Sequence, residues 1–239
     1  MKYLVTTGVQ VFSLVFAVLA AAQLGLAVVA WRHWRASPGL LAAVPALVCS
    51  ALVWDNGVIA VGSLTGTGSL LHAMSVPRFV LHALLTPFLV LWSLSAADHA
   101  GLRLARGKPA RAVAAGLTAL LVTAGTLHDV LDLSLRPERW ADTLRYVNDA
   151  ASPTGPLPAI ITGLVVLATG IVLWRRTGFV WLAVTAAVMV AVSGAGAQVP
   201  PLGNAGEVVL NVGLLLTVRR LRPRGDRDAA DAPSVAGTP

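Results

Sequence analysis

The chain has 239 residues, 56% of them hydrophobic and 12% charged, with a mean hydropathy of +0.75; soluble domains carry roughly twice that share of charge, so water is excluded as its main solvent. The net charge of +7 comes from basic residues placed between apolar runs rather than gathered in one stripe, which argues against a nucleic-acid surface. One cysteine, Cys49, excludes an intramolecular disulfide and a cysteine metal motif, and reads as a small packing residue.

Seven apolar segments follow in chain order, at 7–30, 40–62, 76–97, 110–130, 156–174, 178–198 and 201–218. Each is of a length to cross roughly 30 Å of hydrocarbon at about 1.5 Å per residue. The spacing therefore predicts an all-α integral membrane bundle of seven transmembrane helices over 1–222 and a disordered, Ala-, Asp- and Pro-rich tail over 223–239. The first run lacks a convincing cleavage site and is expected to be a retained helix rather than a removed signal.

Lys and Arg alternate between the connections. Arg32 and Arg35 follow the first span, Arg103, Arg106, Lys108 and Arg111 the third, Arg175 and Arg176 the fifth, and Arg219, Arg220 and Arg222 the seventh, while the second and sixth connections carry none. By the positive-inside rule the N-terminus is outside and the C-terminus in the cytoplasm, in the inner (cytoplasmic) membrane of a bacterium. Trp31, Trp34, Trp92 and Trp174 are expected at the inner interface as anchors. In the long fourth connection, Trp140, Leu144 and Val147 share a face at helical spacing, so a short interfacial helix is expected over 138–150, able to act as a lid.

A charge at the bilayer centre costs about 2.5–3.5 kcal/mol on insertion scales, so ionisable residues within spans are functional candidates. Asp55 and Asn56 fall in the outer part of the second span, Arg78 and His82 in the first two turns of the third, and His128 and Asp129 at the end of the fourth. On the seventh, Asn204, Glu207 and Asn211 recur at i, i+3 and i+7 and share one face. All lie within two or three turns of the outer boundary and are expected to line one outward-facing pocket closed below by Leu, Val and Ala. Arg78 can serve there as an ion-pair partner of Asp55 or Glu207, and His72 is expected to be solvated in the second connection.

Three chemistries are open to that set. His72, His82, His128 and Asp55 offer zinc ligands, but the HExxH, nucleophile-elbow and DDxxD patterns are all missing. An intramembrane acid with Arg could couple a transporter or lipid-binding protein to protons, although no internal repeat stands out. Lys2 and Lys108 both lie outside the spans, which excludes a retinal Schiff base. A carboxyl group in apolar surroundings can instead protonate an alkene or epoxide, given a dry cavity and aromatic faces for the cation.

Seven spans with the Trp54-Asp55 pair in the outer part of the second resemble the membrane-integral terpene cyclases, fungal meroterpenoid-type and bacterial drimane-type, which carry a Trp-acid pair on an early helix and a second acid on a late one. The resemblance implies proton-initiated cyclisation of a hydrophobic, prenyl-bearing small molecule, without cofactor or metal. It puts Asp55 in the place of the early acid and Glu207 in that of the late one, with the Asp and Glu identities exchanged. On this reading Asp55 is the proton donor, Glu207 the second acid or terminal base, and Trp54, Asn56, Arg78, His82, His128, Asp129, Asn204 and Asn211 bind substrate or set the acids. The alternatives are a metal-dependent membrane lipid hydrolase and a small transporter or lipid-binding protein.

Overall fold

The computed structural model describes residues 10–150, 157–196 and 198–222; the predicted tail over 223–239 lies outside them. In hydrocarbon each backbone N–H must find its acceptor within its own segment, so the apolar runs become helices. These are α1 (Val11–Ala36), α2 (Leu40–Thr65), α3 (Ser69–Leu85), α4 (Phe88–His99), α5 (Lys108–Thr126), α6 (Leu157–Thr177), α7 (Trp181–Gly196) and α8 (Pro200–Leu221). Six helical stretches are long and apolar enough to cross a membrane, α3 and α4 counting as one, and α7 is a shorter apolar helix. The chain is a multi-pass helical membrane protein.

The third stretch runs from Ser69 to His99, interrupted between α3 and α4 where Pro87 lacks an amide hydrogen. It begins seven residues earlier than hydropathy suggested. Arg78 and His82 therefore lie in the third and fourth turns, not the first two, and His72 sits on the first turn of α3 rather than in a loop. A π-helical turn, Leu127–Leu131, closes α5.

The expected helix over 138–150 is instead an antiparallel hairpin of β1 (Leu135–Trp140) and β2 (Thr143–Asn148), paired from Leu135↔Asn148 to Trp140↔Thr143. The helical spacing of Trp140, Leu144 and Val147 coexists with a period-2 pattern in which Leu144 and Tyr146 point inward, and the β-branched and aromatic residues of β2 favour the strand. The two-residue turn puts Ala141 at φ 51°, a conformation that suits the twist of a hairpin and is costly for a residue with a Cβ. Asp142 beside it is tied down: its carboxylate oxygens accept the Phe12 and Ser13 amides at 3.0 and 2.9 Å, filling the open N-terminus of α1, and the Ser63 hydroxyl donates to its carbonyl. Trp140 packs edge-on against Phe12 and donates its indole N–H to Gln198 O.

Within a bilayer helices associate through close van der Waals approach rather than hydrophobic burial. Gly170 of α6 meets α7 so closely that a Cβ there would lie 2.6 Å from Ala183 N, and Gly213 of α8 leaves the space taken by the Thr185 side chain of α7. The larger core cluster, with Trp92, Leu41, Leu173, Leu182, Leu214 and Val218, seals the end away from the hairpin. Trp92 is thus no interface anchor: it is 0% exposed and donates its indole N–H to Leu41 O at 2.9 Å. Arg32, Arg35, Arg103, Arg106, Lys108, Arg111, Arg175, Arg176, Arg219, Arg220 and Arg222 gather at that sealed end, where Asp98 is the sole acid among the described residues.

Candidate functional site

Polar side chains from four helices and the hairpin converge beneath β2. Asp55 of α2 accepts from Arg78 Nε of α3 at 2.8 Å on one oxygen and from Asn204 Nδ2 of α8 at 3.0 Å on the other. Asn204 Nδ2 also donates to Asn56 Oδ1 at 3.1 Å, and Asn56, fully buried, returns its amide hydrogen to Leu52 O one turn below. Arg78 reaches up to the hairpin as well, Nη1 donating to Tyr146 O at 3.3 Å. The interior pair is held from outside by one donor on α8, Asn204 Nδ2, and one acceptor on β2, Tyr146 O, support of the kind under which a buried ion pair is tolerated.

Two adjoining cavities meet at this cluster. The upper, about 460 Å³, lies under the hairpin and is lined by Phe79, His128, Asp129, Tyr146 and Asn148 among others. The lower, about 670 Å³, descends between α2, α3, α6, α7 and α8 past Leu52, Leu85, Ile160, Val166, Val190 and Leu210 to Asn211. Asp55, Arg78, His82, Arg145, Asn204 and Glu207 line both and form a polar collar between them. Both volumes fall in the range of small-molecule sites, and the pattern of an apolar wall with a few convergent polar groups is that of a ligand pocket.

Within the collar the two acids differ. Both oxygens of Asp55 are engaged, whereas Glu207 Oε2 is buried with no hydrogen-bond partner among the described residues. Arg145 Nη2 donates to Glu138 at 2.9 Å while its Nε is buried and unpartnered among the described residues. One turn below Glu207, Asn211 Nδ2 donates to Gln23 Oε1 of α1 at 3.1 Å.

Asp55, Asn56, Arg78, His82, His128, Asp129, Asn204, Glu207 and Asn211 are thus brought to one place, with Asn56 behind the cavity walls. Trp54 is not: it is 41% exposed on the outer face of α2, its indole N–H donated to Met74 O at 3.1 Å. Neighbouring helical positions point about 100° apart, so Trp54 turns away when Asp55 turns in. His72 packs edge-on against Tyr146 with centroids 5.3 Å apart, and among the described residues no three His, Cys, Asp or Glu come together as a metal-binding group. The zinc set of His72, His82, His128 and Asp55 does not assemble. Arg145, Tyr146 and Phe79 line the cavities unforeseen; the first two belong to β2, whose alternation was the signal that could have found Tyr146. The lower cavity lining contains no Phe, Tyr or Trp among the described residues. No family model, curated protein or solved structure matches this chain.

Proposed function

We propose that the protein is a membrane-integral enzyme that cyclises a hydrophobic, prenyl-bearing small molecule by protonating it. The observation that supports this reading is a buried carboxyl oxygen, Glu207 Oε2, free of partners among the described residues, at the mouth of a 670 Å³ apolar cavity. The lower cavity is of a size to take a prenyl chain, and most of its wall below the collar is aliphatic. Glu207 then takes the part of the proton donor that the sequence assigned to Asp55, and its carboxylate, ionised by that step, takes a proton back from the cyclised cation, so that the product is an isomer. Asp55, held by Arg78 and Asn204, is a fixed negative charge facing the cation that forms. His82, His128 and Asp129 complete the polar surface above the chain.

The topology proposed with it has α7 as a seventh crossing helix, the hairpin end outside and the sealed, basic end in the cytoplasm, in the inner membrane of a bacterium. Every described basic residue outside the hairpin and the collar lies at the end so assigned. The reading is tested by feeding linear prenylated alkenes and epoxides to membranes containing the protein and analysing lipid extracts by mass spectrometry. A new isomer of unchanged mass supports it; a hydrolysed product, or none from any substrate, rejects it.

A second reading is favoured by the aliphatic lining of the lower cavity. With no aromatic face beside the chain it would bind, that cavity also suits a lipid-binding or transport protein, in which the Asp55–Arg78 pair gates access from above. Ligand flux across vesicles without any change in the ligand's mass would distinguish it.

A further inference from the structure

The wall of the lower cavity below the collar is not wholly apolar. Asn211 lines it and is 1% exposed, and Gln23, 0% exposed, stands behind it on α1. Their hydrogen bond, Asn211 Nδ2 to Gln23 Oε1, leaves Asn211 Oδ1 and Gln23 Nε2 buried without partners among the described residues. A buried amide group with nothing to bind is costly, and here an acceptor on Asn211, which lines the cavity, and a donor on Gln23 behind it are left over. Rotating both amides together exchanges the two roles and still leaves one of each. Ser193 and Thr162, which also line the cavity, differ: their hydroxyls donate to Met189 O and Pro158 O within their own helices.

We propose that Asn211, supported by Gln23, is a hydroxyl-binding subsite, so that the ligand of the lower cavity is an apolar chain carrying an alcohol O–H. A hydroxyl both donates and accepts, which is the complement of what the amide pair leaves open. Its placement one turn from Glu207, about 6 Å along α8, anchors the chain a fixed distance from the collar. The inference deepens the proposed function by naming a group on its substrate, but it concerns binding and stands whether or not the ligand reacts.

The test uses the purified full-length protein and two probes of equal length, a linear C15 isoprenoid alcohol and the corresponding hydrocarbon without the hydroxyl, with bound ligand read by native mass spectrometry. The wild type is expected to prefer the alcohol by about three- to tenfold, the worth of one net hydrogen bond. Asn211→Leu and, separately, Gln23→Met remove that preference while hydrocarbon binding persists, which also shows that each variant is folded. Equal binding of the two probes by the wild type, or a preference untouched in both variants, would overturn the subsite. Because no turnover is measured, a failure here is distinct from a failure to cyclise.

Discussion

Arg78 Nε lies 2.8 Å from Asp55 Oδ1, an ion pair between α2 and α3 with side chains 10% and 21% exposed. Removing one member of so enclosed a pair leaves the other charge uncompensated, which costs more than the pair is worth. Arg78→Met should therefore lower stability by about 3 kcal/mol, the lower end of the range for buried pairs, read as a reduced unfolding midpoint in detergent. Adding Asp55→Asn should restore part of that loss. A double variant no more stable than Arg78→Met would mean that Asp55 does not depend on this partner.

The hairpin is moored by a second carboxylate, outside the spans. Burial acts to raise the pKa of Asp142, but the Ser13 and Phe12 amides outweigh it and hold the group below its usual 3.8. A depressed folded-state value means that the contribution is complete above the ordinary carboxyl value and is lost as the pH falls through the lower one. Asp142→Ala should cost about 1 kcal/mol at neutral pH, as a lost helix N-cap does. It should also flatten the stability profile below pH ~4, measured by unfolding midpoints across that range.

Gly62 of α2 is where the hairpin seats. A Cβ at that position would collide with the backbone carbonyl of Leu144, and a backbone group cannot step aside as a flexible side chain can. Gly62→Ala is expected to lift β2, costing about 1–3 kcal/mol as overpacking does, and to speed amide hydrogen exchange over 135–148 while α6 to α8 stay protected. Unchanged exchange in the hairpin would show that β2 does not rest on Gly62.

Much of this architecture was legible in the sequence, because a membrane makes the apolar run and the helix nearly the same statement. The depth of Asp55 and the shared face of Asn204, Glu207 and Asn211 followed from helical periodicity alone. The hairpin did not: Trp140, Leu144 and Val147 satisfy a helical repeat while Leu144 and Tyr146 satisfy a strand repeat, and over so short a segment neither period excludes the other. Arg145 and Tyr146 were lost with it. The Gln23–Asn211 bond joins α1 to α8, a pairing that depends on the order of helices around the bundle, which no periodicity contains. Nor could spacing tell which acid had spare valence, since that rests on Asn204 reaching Asp55 rather than Glu207.

The proposed orientation places the hairpin outside. Cys49, the one cysteine, is fully buried, so the wild type should resist an impermeant thiol reagent applied to intact cells. Ser134→Cys beside the hairpin should then be labelled, and Leu104→Cys in the basic loop only after the cells are broken. The reverse pattern would invert the protein.

The central claim is that Glu207 delivers a proton to a hydrophobic ligand in the lower cavity. Its most direct test is the isomer yield from linear prenylated substrates, by mass spectrometry, for wild type against Glu207→Gln in membranes containing equal amounts of protein. A wild-type isomer of unchanged mass that falls by about a hundredfold or more in Glu207→Gln is the result expected; an isomer formed equally well by Glu207→Gln would contradict it.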